Sequence, residues 1–144
     1  MPIRILSMAV LAVALAGPAA ASAQDDDAAK ALGRMMAGRS AVEGAELDAA
    51  VAEASRHPLG SKENPVRTAM PAGERAYLAR LRCTDGAAPS YQRQGSGGGG
   101  PYGNILDFYQ VTCAGAEPVP VVMDMYHAGY VEDRPVPGFT LVPR

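Results

Sequence analysis

NILDFYQVTCAGAEPVPVVMDMYH, residues 104–127, decides how the chain is read. Asn104–Cys113 and Val119–His127 each carry the period-two alternation of a half-buried strand. Ala114-Gly-Ala-Glu117 between them suits a hairpin loop. The two arms share an order of apolar, Asp, apolar, Tyr, in Leu106-Asp-Phe-Tyr109 and Met123-Asp-Met-Tyr126. With a four-residue loop, Asp107 stands directly opposite Asp124. One face then carries Leu106, Phe108, Val119, Val121, Met123 and Met125 as core, and the other carries Asp107, Tyr109, Asp124 and Tyr126. Aspartate is disfavoured inside strands, and like charges placed opposite one another destabilise the pair. A different register separates the two acids.

Upstream, Ser90–Gln94 reads as a short strand and Gly95–Gly103 as a flexible hairpin loop. Gly95, Gly97 and Gly100 formally satisfy G-x-G-x-x-G. A dinucleotide loop, however, follows a hydrophobic strand and opens a helix whose amides hold the pyrophosphate. Here the glycines follow polar Tyr91–Gln94 and precede Pro101 and the β-run Ile105–Val111, so no nucleotide site is expected.

Glu74–Cys83 consists almost wholly of helix formers without β-branching. Tyr77, Leu78 and Leu81 form a helical arc, and Asp85-Gly86 offers a stop. A strand with Tyr77, Ala79, Leu81 and Cys83 on one face stays open as the alternative. Ser40-Ala-Val-Glu43 matches a capping box. A helix over 40–56 follows, with Leu47, Val51 and Ala54 on one face and His57 suited to its C-terminal dipole. Residues 24–39 read as a mobile Ala-rich leader, so that 24–58 precedes a domain at 59–144. Pro135, Pro137 and Pro143 keep the tail extended but out of any central strand. The expected fold is α+β, with one or two helices packed on a three-stranded antiparallel sheet.

Residues 1–23 read as a secretory signal: Arg4, the apolar run Ile5–Ala16, and Ala21-Ser-Ala23 with cleavage after Ala23. The apolar run is shorter than the roughly 20 residues of a membrane span, and the sequence offers no second candidate. Export to the periplasm or medium favours pairing the two cysteines, Cys83 and Cys113. They lack the C-x-x-C spacing of a redox pair. A net charge of −2 leaves no basic footprint for nucleic acid or an anionic membrane surface.

Asp107, Tyr109, Asp124, Tyr126 and His127 form the candidate polar site, since paired carboxylates can share a proton or a cation. The competing reading is a wet face, or one covered by Arg80, Arg82 or Arg93. Met123, Met125 and His127 alternate along one arm as soft Cu(I) ligands would. Val119 and Val121 continue that face, which favours ordinary core methionines. Ser90 and Ser96 lack an identifiable base or oxyanion donor. Zinc and calcium spacings are absent, and no cofactor is expected.

Gly60-Ser-Lys-Glu-Asn-Pro-Val-Arg67, Tyr77-Leu-Ala-Arg-Leu-Arg-Cys-Thr-Asp-Gly86, Gly100-Pro-Tyr-Gly-Asn-Ile-Leu-Asp107, Asp124-Met-Tyr-His127 and Pro137-Gly-Phe139 together carry a resemblance. Over residues 60–140 the chain resembles a group of short, uncharacterised exported bacterial proteins. The resemblance implies no activity. The functional expectation is a non-enzymatic binding or interaction module of the cell envelope, meeting an envelope or extracellular protein partner through Gly95–Gly103 and Ala128–Gly138. The alternative is a small enzyme or metal-handling protein using Asp107, Asp124 and His127.

Overall fold

The hairpin that opens the sequence reading pairs one residue away from the expected register. In the computed structural model, which describes residues 19–144 and their side chains from Gln24 onward, β4 (Ile105–Thr112) and β5 (Val119–Asp124) are antiparallel. Asp107 lies opposite Met123, Tyr109 opposite Val121 and Val111 opposite Val119. Side chains alternate across a strand, so this one-residue slip turns the faces of β4 over relative to those of β5. Val121 and Met123 stay in the core as expected and are joined there by Tyr109 and Val111, whereas Leu106 and Phe108 turn to the other side. The slip also avoids setting two carboxylates opposite one another.

The main sheet has four strands in the order β1-β5-β4-β3, with β1 at Val66–Arg67 and β3 at Ser90–Gly99. The expected three antiparallel strands are thus joined by a parallel one, Val66 pairing with Met123 and Arg67 with Asp124. The glycine run is a second correction. It continues the edge strand as far as Gly99, with register shifts at Arg93/Gly95 and Gly97/Gly99, and the turn itself is Gly100–Asn104. Ladder hydrogen bonds use only the backbone, so a strand without side chains can still pair, and bulges are its usual accompaniment.

Helix α3 (Met70–Arg80) covers the Tyr109 face with Glu74, Tyr77 and Leu78. The helical reading of Glu74–Cys83 holds only as far as Arg80, and the helix begins earlier, at Met70, with Pro71 suiting its first turn. Leu81–Arg82 forms β2, paired antiparallel with β6 (Thr140–Leu141), which returns the tail to the end of α3. Cys83 and Cys113 are bonded, their Cα atoms 5.9 Å apart, tying this turn to the end of β4.

The signal segment 1–23 lies outside the described residues except for the helical backbone from Ala19. Helix α1 (Ala19–Met36) takes in most of the Ala-rich leader. Gly38 ends it at φ +70°, where the Gly38 and Arg39 amides donate to the Met35 and Arg34 carbonyls in a Schellman turn. Helix α2 (Gly44–Ala54) is shorter than the expected 40–56. Ser40 does not cap it. The N-cap is Glu43, and Ser40 is drawn into the protein, where its hydroxyl donates to the Tyr102 carbonyl at 3.3 Å. The Ala41 amide donates to Asn104 Oδ1 at 2.7 Å, so the segment before α2 is tied to the sheet.

Candidate functional site

Register and sheet order together place the expected site residues in two separate polar groups. Asp107 and Asp124, read as neighbours, project from opposite faces of the sheet, because Asp107 shares its face with Met123 and Asp124 shares its own with Arg67.

On the α3 face, Asp107 is buried and its Oδ1 accepts from Arg93 Nη2 at 2.7 Å and from Ser96 Oγ at 2.5 Å. Arg93 Nη2 also donates to Ser96 Oγ. Glu74 reaches the same place from α3, and its Oε2 accepts the Tyr109 hydroxyl at 2.9 Å. Its other oxygen, Oε1, is buried with no donor. Burial, then the Asp107 charge, pushes the Glu74 carboxyl up to about 7. An ionised Glu74 would leave that oxygen buried without a donor, so the environment favours the protonated carboxyl. Burial and then Glu74 raise the Tyr109 hydroxyl well above the usual phenol range. The two acids are both buried, Glu74 being only 1% exposed and Asp107 3%. Among the described residues, neither lines the clefts beside α2, α3, β5 or the glycine-rich strand.

On the opposite face, Asp124 is fully buried at the end of β5. Asn104 Nδ2 donates to both its oxygens, at 3.1 and 2.9 Å, and the Tyr126 amide donates to Oδ1 at 3.0 Å. His127 Nε2 stands 3.4 Å from Oδ2, close enough for an ion pair when the imidazole is protonated, but without a hydrogen-bond partner of good geometry. The Tyr102 ring meets the imidazole edge-on at 5.1 Å. The backbone holds this corner: Thr68 N donates to Asp124 O, His127 N to Thr68 O, and Ala128 N to Gly38 O.

Above this corner opens a cleft of about 500 Å³ between the start of α2, β1 and the segment Tyr126–Tyr130. Its walls include Ser40, Glu43, Leu47, Arg67, Tyr126, His127 and Tyr130. The Arg67 guanidinium lies 3.9 Å from the centre of the Tyr130 ring. The Tyr130 hydroxyl in turn donates to Glu132 Oε2 at 3.2 Å. Burial pushes the Glu132 carboxyl up, but the Arg134 hydrogen bonds and charge outweigh it and leave it below the ordinary range. The Arg67 side chain makes no salt bridge or hydrogen bond among the described residues. Glu43 carries the cleft's acidic charge and is held by Arg34 and Arg39.

Of the expected site, Tyr126 and His127 line this cleft, Asp124 lies beneath it, and Asp107 and Tyr109 belong to the group on the α3 face. Met123 packs in the hydrophobic core beside Val66, Tyr109 and Val121, while Met125 is only partly buried. Among the described residues, no group of three or more His, Cys, Asp or Glu side chains is placed to hold a metal ion. Sequence reading missed Glu74, Asn104 and Arg67. Glu74 had a signal: positions 74, 77, 78 and 81 share one helical face. Asn104 and Arg67 had none, since each acts through partners distant in the chain. The chain matches no family model, no curated protein and no solved structure.

Proposed function

We propose that this chain is an exported, non-enzymatic binding module of the cell envelope and that the cleft walled by α2, β1 and Tyr126–Tyr130 is its binding site. Export is supported by the signal-like residues 1–23 and by the Cys83–Cys113 bond, which an oxidising compartment favours. Among the described residues no helix is long and apolar enough to cross a membrane.

One observation carries the binding reading. The buried acids are occupied internally, Asp107 by Arg93 and Ser96 and Asp124 by Asn104 and the Tyr126 amide, whereas Arg67 stands in an open cleft without a counter-charge. Acid–base catalysis needs its groups within reach of a substrate, and the Glu74–Asp107 pair is closed beneath α3. The cleft volume lies within the few hundred to about 1,000 Å³ typical of small-molecule sites.

Two measurements test the reading. Cell fractionation with mass spectrometry is expected to find a product beginning at Gln24 outside the cytosol, with both thiols protected from alkylation. Saturation-transfer NMR with a filtered periplasmic extract is expected to show ligand signals that gain saturation and stay chemically unchanged. Full-length cytosolic protein with two alkylated thiols contradicts the export claim, and new product signals contradict the non-enzymatic one.

A further inference from the structure

Resting on that reading, we infer that the cleft takes a carboxylate carried on a short apolar body, with Arg67 as the anion-binding side chain. Three observations on different elements converge on this chemistry.

The first is the charge balance. Arg67 comes from β1 with no acidic partner, although it sits in register beside Asp124. Asp124 is turned beneath the floor to Asn104, the Tyr126 amide and His127. Glu43 is the acid on the wall, and Arg34 and Arg39 both engage it. Arg39, which also lines the cleft, thus has an acidic partner, whereas the Arg67 side chain has none. Arginine pairs with carboxylates through two parallel N–H bonds, and its hold on a ligand is strongest where water is partly excluded.

The second is pre-organisation. The Arg67 guanidinium is stacked on Tyr130, whose own hydroxyl is anchored to Glu132. A stacked guanidinium loses less freedom on binding than a free one, and its N–H edges remain open to an anion in the ring plane. The donors nearby have the same sense. His127 lines the cleft, and the first turn of α2, whose amides lack a side-chain cap, borders it.

The third is the opposite wall, where Val42 and Leu47 present apolar surface across from the arginine. An inorganic oxyanion would leave these side chains wet, whereas an organic acid covers them. A free small acid and the C-terminus of a partner peptide both offer this combination.

The experiment is a ¹H–¹⁵N NMR titration of the mature, disulfide-bonded protein with sodium hexanoate, hexanol and inorganic phosphate. In parallel arms, a short apolar peptide is used with a free and with an amidated C-terminus. Hexanoate is expected to move the amides of Arg67, Tyr126, His127 and Tyr130 with half-saturation at about 1 mM or tighter. Hexanol and phosphate are each expected to bind about tenfold more weakly or worse. R67M is expected to lose at least about tenfold in hexanoate affinity, with R67K falling between it and the parent. A peptide arm that binds better than hexanoate, and only with a free C-terminus, assigns the carboxylate to a partner chain; the reverse order assigns it to a small acid. Absence of hexanoate shifts at the cleft, or equal binding of hexanol and hexanoate, overturns the inference. Hexanol binding at these amides without preference for hexanoate removes the anion claim while leaving a binding cleft in place.

Discussion

Tyr109 on β4 donates its hydroxyl to Glu74 on α3 at 2.9 Å, so that the helix is fastened to the sheet through a carboxyl that is itself almost wholly buried. The other Glu74 oxygen is buried with no donor, and the Asp107 charge acts on the same carboxyl. This arrangement is comfortable with a proton on Glu74 and costly without one, because an ionised buried carboxylate beside a second acid has too few donors.

Stability should therefore fall as pH rises through the neutral range. The Glu74 carboxyl is raised from 4.5 to about 7, so the folded state holds this proton where the unfolded chain has released it. The contribution is fully present below about pH 4.5, declines between there and pH 7, and is lost above it. Its size is at most roughly 3 kcal/mol. Urea unfolding at pH 5 and pH 8 checks it, with E74Q expected to flatten the difference. An equal slope in E74Q would assign the effect to other groups.

The disulfide closes a 30-residue separation between the end of β2 and the end of β4. The chain-entropy estimate puts its contribution at about 3–4 kcal/mol. Reducing the bond, or replacing both cysteines by alanine, should lower the urea midpoint accordingly. A shift of well under about 1 kcal/mol would show that the β2–β6 pairing and the α3 contacts hold this end of the molecule unaided.

Asn104 joins three elements that the sequence keeps far apart. It accepts from the Ala41 amide at 2.7 Å and donates to Asp124 and to Ser40. N104A should strand the fully buried Asp124 carboxylate and cost about 2–4 kcal/mol. It should also speed hydrogen exchange at the Ala41 amide far more than at Val111. Uniform exchange changes would mean that the segment before α2 is held by something else.

Gly100 lies where a Cβ would come 2.6 Å from Leu106 Cδ2, and Leu106 is fully buried. G100A should therefore force Leu106 from its rotamer at a cost of about 1–3 kcal/mol. L106V in the same background should recover part of that loss by removing the clashing methyl group. Denaturant melts of the single and double variants give the comparison.

Much of the architecture was legible because it rests on local pattern. Tyr77 and Leu78 announced α3 through their spacing, while Leu81, read with them, begins β2; Cys83 and Cys113 paired as export would have them, and Ile105–Thr112 read plainly as a strand. The failures occur where a distant partner decides. Val66–Arg67 is too short to register as a strand until Met123 and Asp124 pair with it. Gly95–Gly99 has no side chains to reveal its pairing with Ile105–Phe108. Ser40 carries a capping signature, yet Tyr102 and Asn104 compete for its hydroxyl more successfully than the α2 amides do.

The candidate site was legible in its residues but not in its grouping. Asp107, Tyr109, Asp124, Tyr126 and His127 were singled out because polar residues inside strands need partners, and each proves to have a specific environment. Which partners they have depends on a single residue of hairpin register, which a loop containing Gly115 and flanked by Pro118 does not fix from its sequence.

That register is the point on which both polar groups and the cleft depend. Cross-strand NOEs in the backbone NMR spectra of the folded protein measure it directly. The account predicts that Asp107 pairs with Met123 and Tyr109 with Val121, with no contact between the two aspartates. NOEs that pair Asp107 with Asp124 and Phe108 with Met123 would return both acids to one face and contradict it.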